Sequence, residues 1–181
     1  MVNLTIDHKQ VQVPEGTTIL KAAAAAGIEI PTLCFLKDLN EIGACRICCV
    51  EIEGKDTLVA ACNTAAEDGM VVYTSSLQAH YARRMNLQII LSQHDFRCAA
   101  CQRNGSCASQ KICADMNIND VPFEQSNEVR EWDLSFPLIR NASKCIKCMR
   151  CVQICDKVQS LGIWDIVNTG KRTGVGVSKM R

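Results

Sequence analysis

The chain has 181 residues, of which 48% are hydrophobic, 22% are charged and 4% are aromatic. This composition predicts a globular protein of one or two small domains, and so few aromatic residues argue against one large hydrophobic core. The formal net charge of +1 excludes the strongly basic surface of a typical nucleic-acid-binding protein.

No signal peptide opens the sequence, because its first residues have neither a basic start nor an apolar run. No later stretch is apolar for long enough to cross a bilayer, so we expect no membrane span. The 13 cysteines are therefore expected in a reducing compartment, the cytoplasm, where thiols this dense are more often metal ligands than disulfides. Their odd number also argues against a complete disulfide framework.

The predicted elements begin with a hairpin. Apolar residues alternate with polar ones over residues 2–6 and 11–13, which is the period of half-buried strands. The polar residues 7–9 lie between them as a turn.

A helix follows the hairpin. Thr17 or Thr18 can cap its start, the alanines of residues 22–26 favour helix strongly, and Gly27 ends it. Strand, strand and helix in this order predict a β-grasp domain over residues 1–76.

The first candidate metal-binding set lies within this domain. The gaps between its four cysteines are ten, two and thirteen residues. Within the longest gap, predicted strands at 50–53 and 57–60 form a hairpin that brings the fourth cysteine back towards the third. Gly43 and Ala44 leave room for backbone amides to approach the sulfurs. Cys49 is left over and is expected to be a small buried hydrophobic residue. The set is Cys34, Cys45, Cys48 and Cys62.

Residues 77–91 contain neither glycine nor proline and predict an amphipathic helix. Arg83 and Arg84 fall on the side that we expect to face solvent. The expected buried face repeats every fourth residue and consists of Leu77, Tyr81, Met85 and Ile89, with Ala82 beside them.

The second candidate set follows this helix at once. Four soft or borderline ligands with gaps of three, two and five residues can close around one compact metal centre, and these gaps are not those of a zinc finger. Cys113 lies in a predicted short helix over residues 108–117 and is interpreted as packing. An alternative is that the histidine caps the helix and leaves its position to water or to Cys113. The set is His94, Cys98, Cys101 and Cys107.

The third set follows residues 120–137, which are polar and predict a surface linker. Its CxxCxxCxxxC spacing is the most specific iron-sulfur signature of the chain. Strands are expected over residues 163–167 and near 175–177. The set is Cys145, Cys148, Cys151 and Cys155.

Each of the three sets resembles a known iron-sulfur site. The pattern of the second set resembles the four-iron cluster loop of the large complex I iron-sulfur subunit, of NAD-linked hydrogenases and of multi-subunit iron-only hydrogenases. The first set, with GACRIC over residues 43–48, resembles the two-iron ferredoxin domain that begins the same subunits, and departs from the plant ferredoxin spacing. The third resembles half of a two-cluster bacterial-type ferredoxin, with Asp156 in place of the usual proline.

In this order the sets resemble the N-terminal portion of the catalytic subunit of multimeric, NAD(P)-linked, electron-bifurcating-type iron-only hydrogenases. The resemblance implies an α+β chain with a two-iron domain at 1–76, a connecting helix and histidine-ligated four-iron domain at 77–119, the linker, and an incomplete four-iron ferredoxin-like domain at 138–181. It implies one 2Fe-2S and one 4Fe-4S cluster, and further 4Fe-4S clusters if the third set is completed. The given sequence has no stretch for the catalytic hydrogen cluster of that family, so we expect it to carry electrons and not to activate hydrogen by itself.

The resemblance implies that the protein relays single electrons between redox partners. The implied partners are a flavin- and NAD(P)-binding subunit and a thioredoxin-like two-iron subunit, with ferredoxin as a further candidate. In two-cluster ferredoxins each cluster needs ligands from two runs, and no cysteine follows Cys155. We therefore expect an incomplete third site, with about six iron atoms per chain if it is empty and about ten or more if it is completed.

Two alternatives remain open on the sequence. The first is a relay subunit of an NAD-linked nickel-iron hydrogenase or of a formate dehydrogenase. The second, from a different class, is a structural zinc-binding interaction module, because zinc also accepts close cysteine ligands.

Overall fold

The computed structural model describes residues 1–126 and 140–178. Helices and strands are mixed along the chain, which confirms the α+β class in this coarse form. The chain divides into two compact units, Met1–Asn86 and Leu87–Arg181. In the described part of the chain, no helix is both long and apolar enough to span a membrane.

The first unit is built on a five-stranded sheet with the strand order β2-β1-β5-β3-β4. Strand β1 is antiparallel to β2, with Val2 opposite Val13, and parallel to β5. Strand β3 is antiparallel to both β5 and β4. The elements are β1 Val2–Ile6, β2 Lys9–Val13, α1 Ile19–Ala25, β3 Cys49–Ile52, β4 Val59–Ala60 and β5 Val71–Tyr73.

The predicted first hairpin and first helix are confirmed. Asp7 and His8 adopt left-handed backbone conformations between β1 and β2, as a tight hairpin turn requires. The Thr18 hydroxyl caps α1 by accepting from the Lys21 N–H at 3.4 Å, and Gly27 follows the helix with a φ of 71°. Alternate residues of β1 enter a core shared with α1, in which Leu4 and Ile6 are almost fully buried.

Helix α2, Leu77–Leu91, has the predicted bounds, but the predicted buried face was wrong. Leu77 and Tyr81 are 86% and 66% exposed, whereas Arg83 is 3% exposed. The buried side chains also repeat every fourth residue, so the periodicity of this helix is compatible with either face. This row consists of Ala79, Arg83, Leu87 and Leu91, and Gln88 is buried beside it.

The second unit contains short elements joined by loops. Strands β6 and β7 form an antiparallel pair with Trp164 opposite Val177, as predicted. The Arg140 guanidinium lies 5.0 Å from the Trp164 ring centre and donates to the Val175 carbonyl. Its elements after α2 are α3 Ala108–Asp115, α4 Arg150–Lys157, β6 Trp164–Val167 and β7 Gly174–Val177, with 3-10 turns at Cys98–Ala100, Ala142–Lys144 and Gly170–Arg172.

Part of the predicted linker lies outside the described residues. Of residues 120–137, the structure describes 120–126, and Ser126 N–H donates to the Ser92 carbonyl at 2.8 Å. Residues 138, 139 and 179–181 of the predicted last domain also lie outside the described part.

Candidate metal centres

The first cysteine set lies around the β3–β4 hairpin of the first unit. Cys48 immediately precedes β3, and Cys62 follows β4 by two positions. The structure brings the set together as two hydrogen-bonded thiol pairs, Cys34 with Cys45 and Cys48 with Cys62. A pair of sulfurs for each of two metal ions is the arrangement that a two-iron cluster needs.

Each pair contains one thiol that ionises easily. The hydrogen bond from Cys34 lowers the pKa of Cys45 to about 6, against the effect of burial, and backbone amides add to the lowering. The Cys34 N–H donates to Cys45 Sγ at 3.4 Å. The hydrogen bond from Cys62 likewise lowers the pKa of Cys48 to about 7. Donating these bonds, together with burial, raises the pKa values of Cys34 and Cys62 well above the usual range.

Gly43 shapes the loop before Cys45. Its φ is 65°, and a Cβ atom built on it would lie 2.9 Å from Asn63 Nδ2. The Gly43 backbone forms a hydrogen bond with the Cys62 sulfur, which offsets part of the rise in the pKa of that thiol. The expectation that this glycine lets an amide reach a sulfur agrees with this geometry.

Arg83 was expected on the solvent side of α2, but it is buried against the segment that follows Cys48. Its Nη2 donates to the carbonyls of Cys49 and Thr74, both at 2.7 Å, and its Nε donates to the Cys49 carbonyl at 3.2 Å. Cys49 is 3% exposed, as predicted, and its thiol also donates to the Ala79 carbonyl at 3.7 Å. The recurrence of Ala79, Arg83 and Leu87 at every fourth position was the sequence signal that could have identified this face.

His94 lies just beyond α2, where its backbone N–H donates to the Leu91 carbonyl at 3.0 Å. Its Nδ1 atom is buried and has no hydrogen-bond partner among the described residues. Burial, and then the nearby Lys144 ammonium, lower the pKa of His94, against Asp95 and a hydrogen bond with the Cys145 backbone. The imidazole therefore favours the neutral form, which is the form that binds metals. The ring lines a cavity of about 280 Å³.

The three cysteines of the second set follow in a loop that ends at α3. Cys98 begins a 3-10 turn, Cys107 precedes the first residue of α3, and Cys101 Sγ accepts from the Arg103 N–H at 3.5 Å. Burial, and then Cys98 and Cys107, raise the pKa of Cys113 to about 11. Cys113 thus lies near two members of the set, and its assignment to packing remains a prediction.

Asp95 ties this loop to the start of the third set. Its carboxylate accepts from Arg97 Nε and Nη2 at 2.9 and 2.8 Å and lies 3.1 Å from Lys144 Nζ. Lys144 Nζ also donates to the Asp95 carbonyl at 2.7 Å, and the Asp95 N–H donates to the Ser143 carbonyl at 2.8 Å. This network was not predicted from the sequence, because Lys144 and Ser143 lie far from Asp95 along the chain.

The third set begins in a loop and ends on α4. Met149, with a left-handed φ of 61°, precedes that helix, and the Lys147 N–H donates to Cys145 Sγ at 3.3 Å. Burial raises the pKa of Cys151, and the neighbouring Cys148 and Cys145 raise it further. The fourth member, Cys155, is 8% exposed.

Among the described residues, no three His, Cys, Asp or Glu side chains lie close enough together to hold a single metal ion. Cluster ligands bind separate irons and so need not converge on one point. The thiol pairs of the first unit and the unpartnered Nδ1 of His94 fit iron-sulfur clusters as donor groups.

Two family profiles match the chain in sequence. Residues 1–76 match the 2Fe-2S iron-sulfur cluster binding domain, and residues 83–122 match the NADH-ubiquinone oxidoreductase-G iron-sulfur binding region. The chain is an iron-sulfur protein. The expected 2Fe-2S and 4Fe-4S cofactors are thereby confirmed.

Its relatives include subunits of a hydrogenase and of an NADH-quinone oxidoreductase, as the resemblance implied, and a subunit of an NADPH-Fe(3+) oxidoreductase. It is 40% identical to a subunit of the NADP-reducing hydrogenase of Solidesulfovibrio fructosivorans, over 94% of this chain and 30% of that protein. It is 38% identical to the alpha subunit of an NADPH-Fe(3+) oxidoreductase of Geobacter sulfurreducens, over 96% of this chain and 21% of that protein. It is 36% identical to a subunit of an NADH-quinone oxidoreductase of Rhizobium meliloti, over 97% of this chain and 21% of that protein.

The same relationship is found among solved structures. The chain matches the NAD+-reducing [NiFe]-hydrogenase in its H2-reduced state with a TM-score of 0.87 and 26% identity, over 99% of this chain and 76% of that one. The chain spans less than a third of the length of each of these three curated relatives.

Proposed function

We propose that this chain relays single electrons within a cytoplasmic, multi-subunit hydrogenase complex. The clusters supply transfer of one electron at a time without making or breaking a covalent bond. The chain's own residues hold them, limit access of water and direct amides and charges at them. The proposed ligands are Cys34, Cys45, Cys48 and Cys62 for 2Fe-2S; His94, Cys98, Cys101 and Cys107 for 4Fe-4S; and Cys145, Cys148, Cys151 and Cys155 for a further 4Fe-4S site.

The paired thiols of the first unit are the observation that carries this proposal. Three of the four cysteines are almost fully buried, in two sulfur pairs that receive backbone amide hydrogen bonds. Amide hydrogen bonds stabilise negative charge on sulfur and adjust the potential of a cluster. A zinc module does not need sulfurs divided into two pairs, so this geometry favours the two-iron centre.

His94 supports the second centre. A neutral imidazole that donates from one ring nitrogen keeps a lone pair on the other, and such a second bond orients a metal-ligating histidine. The hydrogen bond with the Cys145 backbone and the unpartnered Nδ1 fit this pattern.

The domain organisation follows from these ligand sets. We propose a β-grasp two-iron domain at 1–76, a histidine-ligated four-iron domain at 77–119, a linker at 120–137 and a ferredoxin-like domain at 138–181. The five-stranded sheet with α1 supports the first assignment. Helix α4 and the β6–β7 pair support a ferredoxin half for the last.

The first experiment tests the class of metal. Protein purified anaerobically from native cells should be brown and contain iron and acid-labile sulfide. A colourless protein with stoichiometric zinc would instead support the structural zinc module.

A second experiment tests the ligand assignments with neighbouring cysteines as controls. Cys48→Ser should abolish the two-iron electron-paramagnetic-resonance signal, whereas Cys49→Ser should retain it. Cys101→Ser should abolish a four-iron signal, whereas Cys113→Ser should retain it. Loss of signal in both members of either comparison would contradict the assignment.

A third experiment identifies the complex. We expect a flavin- and NAD(P)-binding subunit and a thioredoxin-like two-iron subunit, and we include ferredoxin as a candidate redox partner. Anaerobic affinity purification with mass spectrometry should recover these subunits with a hydrogen-activating one. An iron-only enzyme supports the main proposal, and nickel in the complex supports the alternative that the solved nickel-iron hydrogenase suggests.

A further inference from the structure

Arg83 is a buried cation that donates its hydrogen bonds to neutral carbonyls. It is 3% exposed, and the carbonyls of Cys49 and Thr74 accept from its guanidinium at 2.7 to 3.2 Å. Within the part of the chain that the structure describes, no carboxylate forms an ion pair with it. A buried charge of this kind is costly unless an opposite charge lies nearby.

Asp7 is the carboxylate that acts on Arg83, and Thr74 already donates to both of its oxygens. Asp7 Oδ1 accepts from the Thr74 N–H at 2.8 Å, and its Oδ2 accepts from the Thr74 hydroxyl. Burial lowers the pKa of Arg83, and Cys49, Cys48 and Asp7 oppose that lowering. The direct contacts of Arg83 therefore lie on the segment that carries a proposed two-iron ligand, because the Cys49 carbonyl that accepts from it follows Cys48 by one residue.

We propose that Arg83 is the built-in counter-ion of the two-iron centre and a positioning residue for its ligand segment. The inference rests on the proposed ligand role of Cys48. Its guanidinium fixes the Cys49 carbonyl, one residue after that ligand, and its permanent charge offsets the negative charge of the thiolate-bound centre.

The charge has a definite effect on reduction. One-electron reduction by an external donor adds one negative charge to the centre and breaks no bond. Arg83 stabilises this more negative state more than the oxidised state, so it raises the midpoint potential.

The test compares three variants by redox titration of the two-iron electron-paramagnetic-resonance signal, with dithionite as the reductant. Arg83→Gln keeps donors for the carbonyls and removes the charge, so the ratio of reduced to oxidised centre at a fixed potential should fall by about tenfold, or about 59 mV for a one-electron couple. Arg83→Lys keeps the charge and should keep the midpoint. Arg84→Gln removes the same charge from the next, less buried position and should shift the midpoint much less.

An unchanged midpoint in Arg83→Gln, with the signal intact, overturns the proposal, as does an equal shift in Arg84→Gln. If Arg83→Gln does not retain the centre, Asp7→Asn provides the second test, because it removes the opposing charge and should raise the midpoint; no rise overturns the proposal. Absence of a two-iron signal in the unmodified protein would contradict the proposed function instead.

Discussion

One ring nitrogen of His94 distinguishes the two roles proposed for this residue, a metal ligand and a side chain that only ends α2. Its Nδ1 is buried without a partner among the described residues, so replacing the ring by a methyl group should weaken retention of the four-iron cluster. Replacement by cysteine should keep the cluster and lower its midpoint potential, because a thiolate adds negative charge where the imidazole is neutral.

Iron content and redox titration of the four-iron signal of His94→Ala and His94→Cys measure these effects. His80→Ala is the matched control, because His80 is exposed on α2 and should change neither. An unchanged signal and midpoint in both His94 variants would rule out ligation.

Gly43 gives a second prediction at the scale of one residue. A methyl group at this position would lie 2.9 Å from Asn63 Nδ2 and would require a left-handed φ of an ordinary residue. Gly43→Ala should therefore lower the free energy of unfolding by about 2 kcal/mol and weaken retention of the two-iron cluster.

Gly54→Ala separates the effect of the left-handed φ from that of the Asn63 contact. Gly54 also has a positive φ of 77°, but no atom lies within 4 Å of the added Cβ. Its loss of stability should be smaller, about 1 kcal/mol, with the cluster retained. Chemical denaturation and visible circular dichroism measure both effects, and equal losses in the two variants would show that the Asn63 contact is unimportant.

Helix α2 shows what an element's pattern can and cannot predict. Its bounds follow from an uninterrupted run without glycine or proline, but two faces of the helix carry apolar residues every fourth position. An arginine on one of them made that face look like the solvent side. Burial of Arg83 depends on the Cys49 and Thr74 carbonyls, which local sequence cannot place beside it.

Substitutions on the two faces test this orientation. Leu87 is fully buried, so Leu87→Ala should lower the free energy of unfolding by about 2–5 kcal/mol. Leu77 is 86% exposed, so Leu77→Ala should change it by less than about 0.5 kcal/mol. Chemical denaturation measures both, and a larger loss for Leu77→Ala would reverse the orientation.

The loop around Asp95 predicts a dependence on pH. Hydrogen bonds from Arg97 and Lys144 hold the pKa of Asp95 well below its usual range. A carboxyl group with a depressed pKa stabilises the folded state above its unfolded pKa and loses this contribution as the pH falls. Stability should therefore decrease below about pH 4 through this group.

Asp95→Asn should be less stable than the unmodified protein at neutral pH, with a smaller loss on acidification. Denaturation between about pH 7 and pH 2 measures the difference. If the free energy of unfolding fell equally with pH in the two proteins, Asp95 would not contribute to the pH dependence of stability. Because the Arg97 side chain is 84% exposed, added salt should reduce part of the effect.

At the scale of the whole molecule, short-range patterns predicted the elements and the cofactors. The hairpins, the Thr18-capped helix and α2 depend on periodicity and turn residues, and cysteine spacing indicated the clusters. The Asp95 network and the sulfur pairs depend on contacts between segments 11 or more residues apart. Spacing could suggest which cysteines belong to one set, but not which sulfurs within it would meet.

The sulfur pairs also make the chain without its clusters sensitive to peroxide. Cys45 and Cys48 ionise near neutral pH, and each touches a protonated thiol, Cys34 or Cys62. Peroxide oxidises such a thiolate to a sulfenic acid, and its neighbour then condenses with it to form a disulfide with release of water. Two such crosslinks would close the iron site until a thiol reductant reopened it. Differential alkylation after peroxide treatment should find these two pairs oxidised and Cys49, whose pKa burial raises, still reduced; random pairing would contradict this order of reactivity.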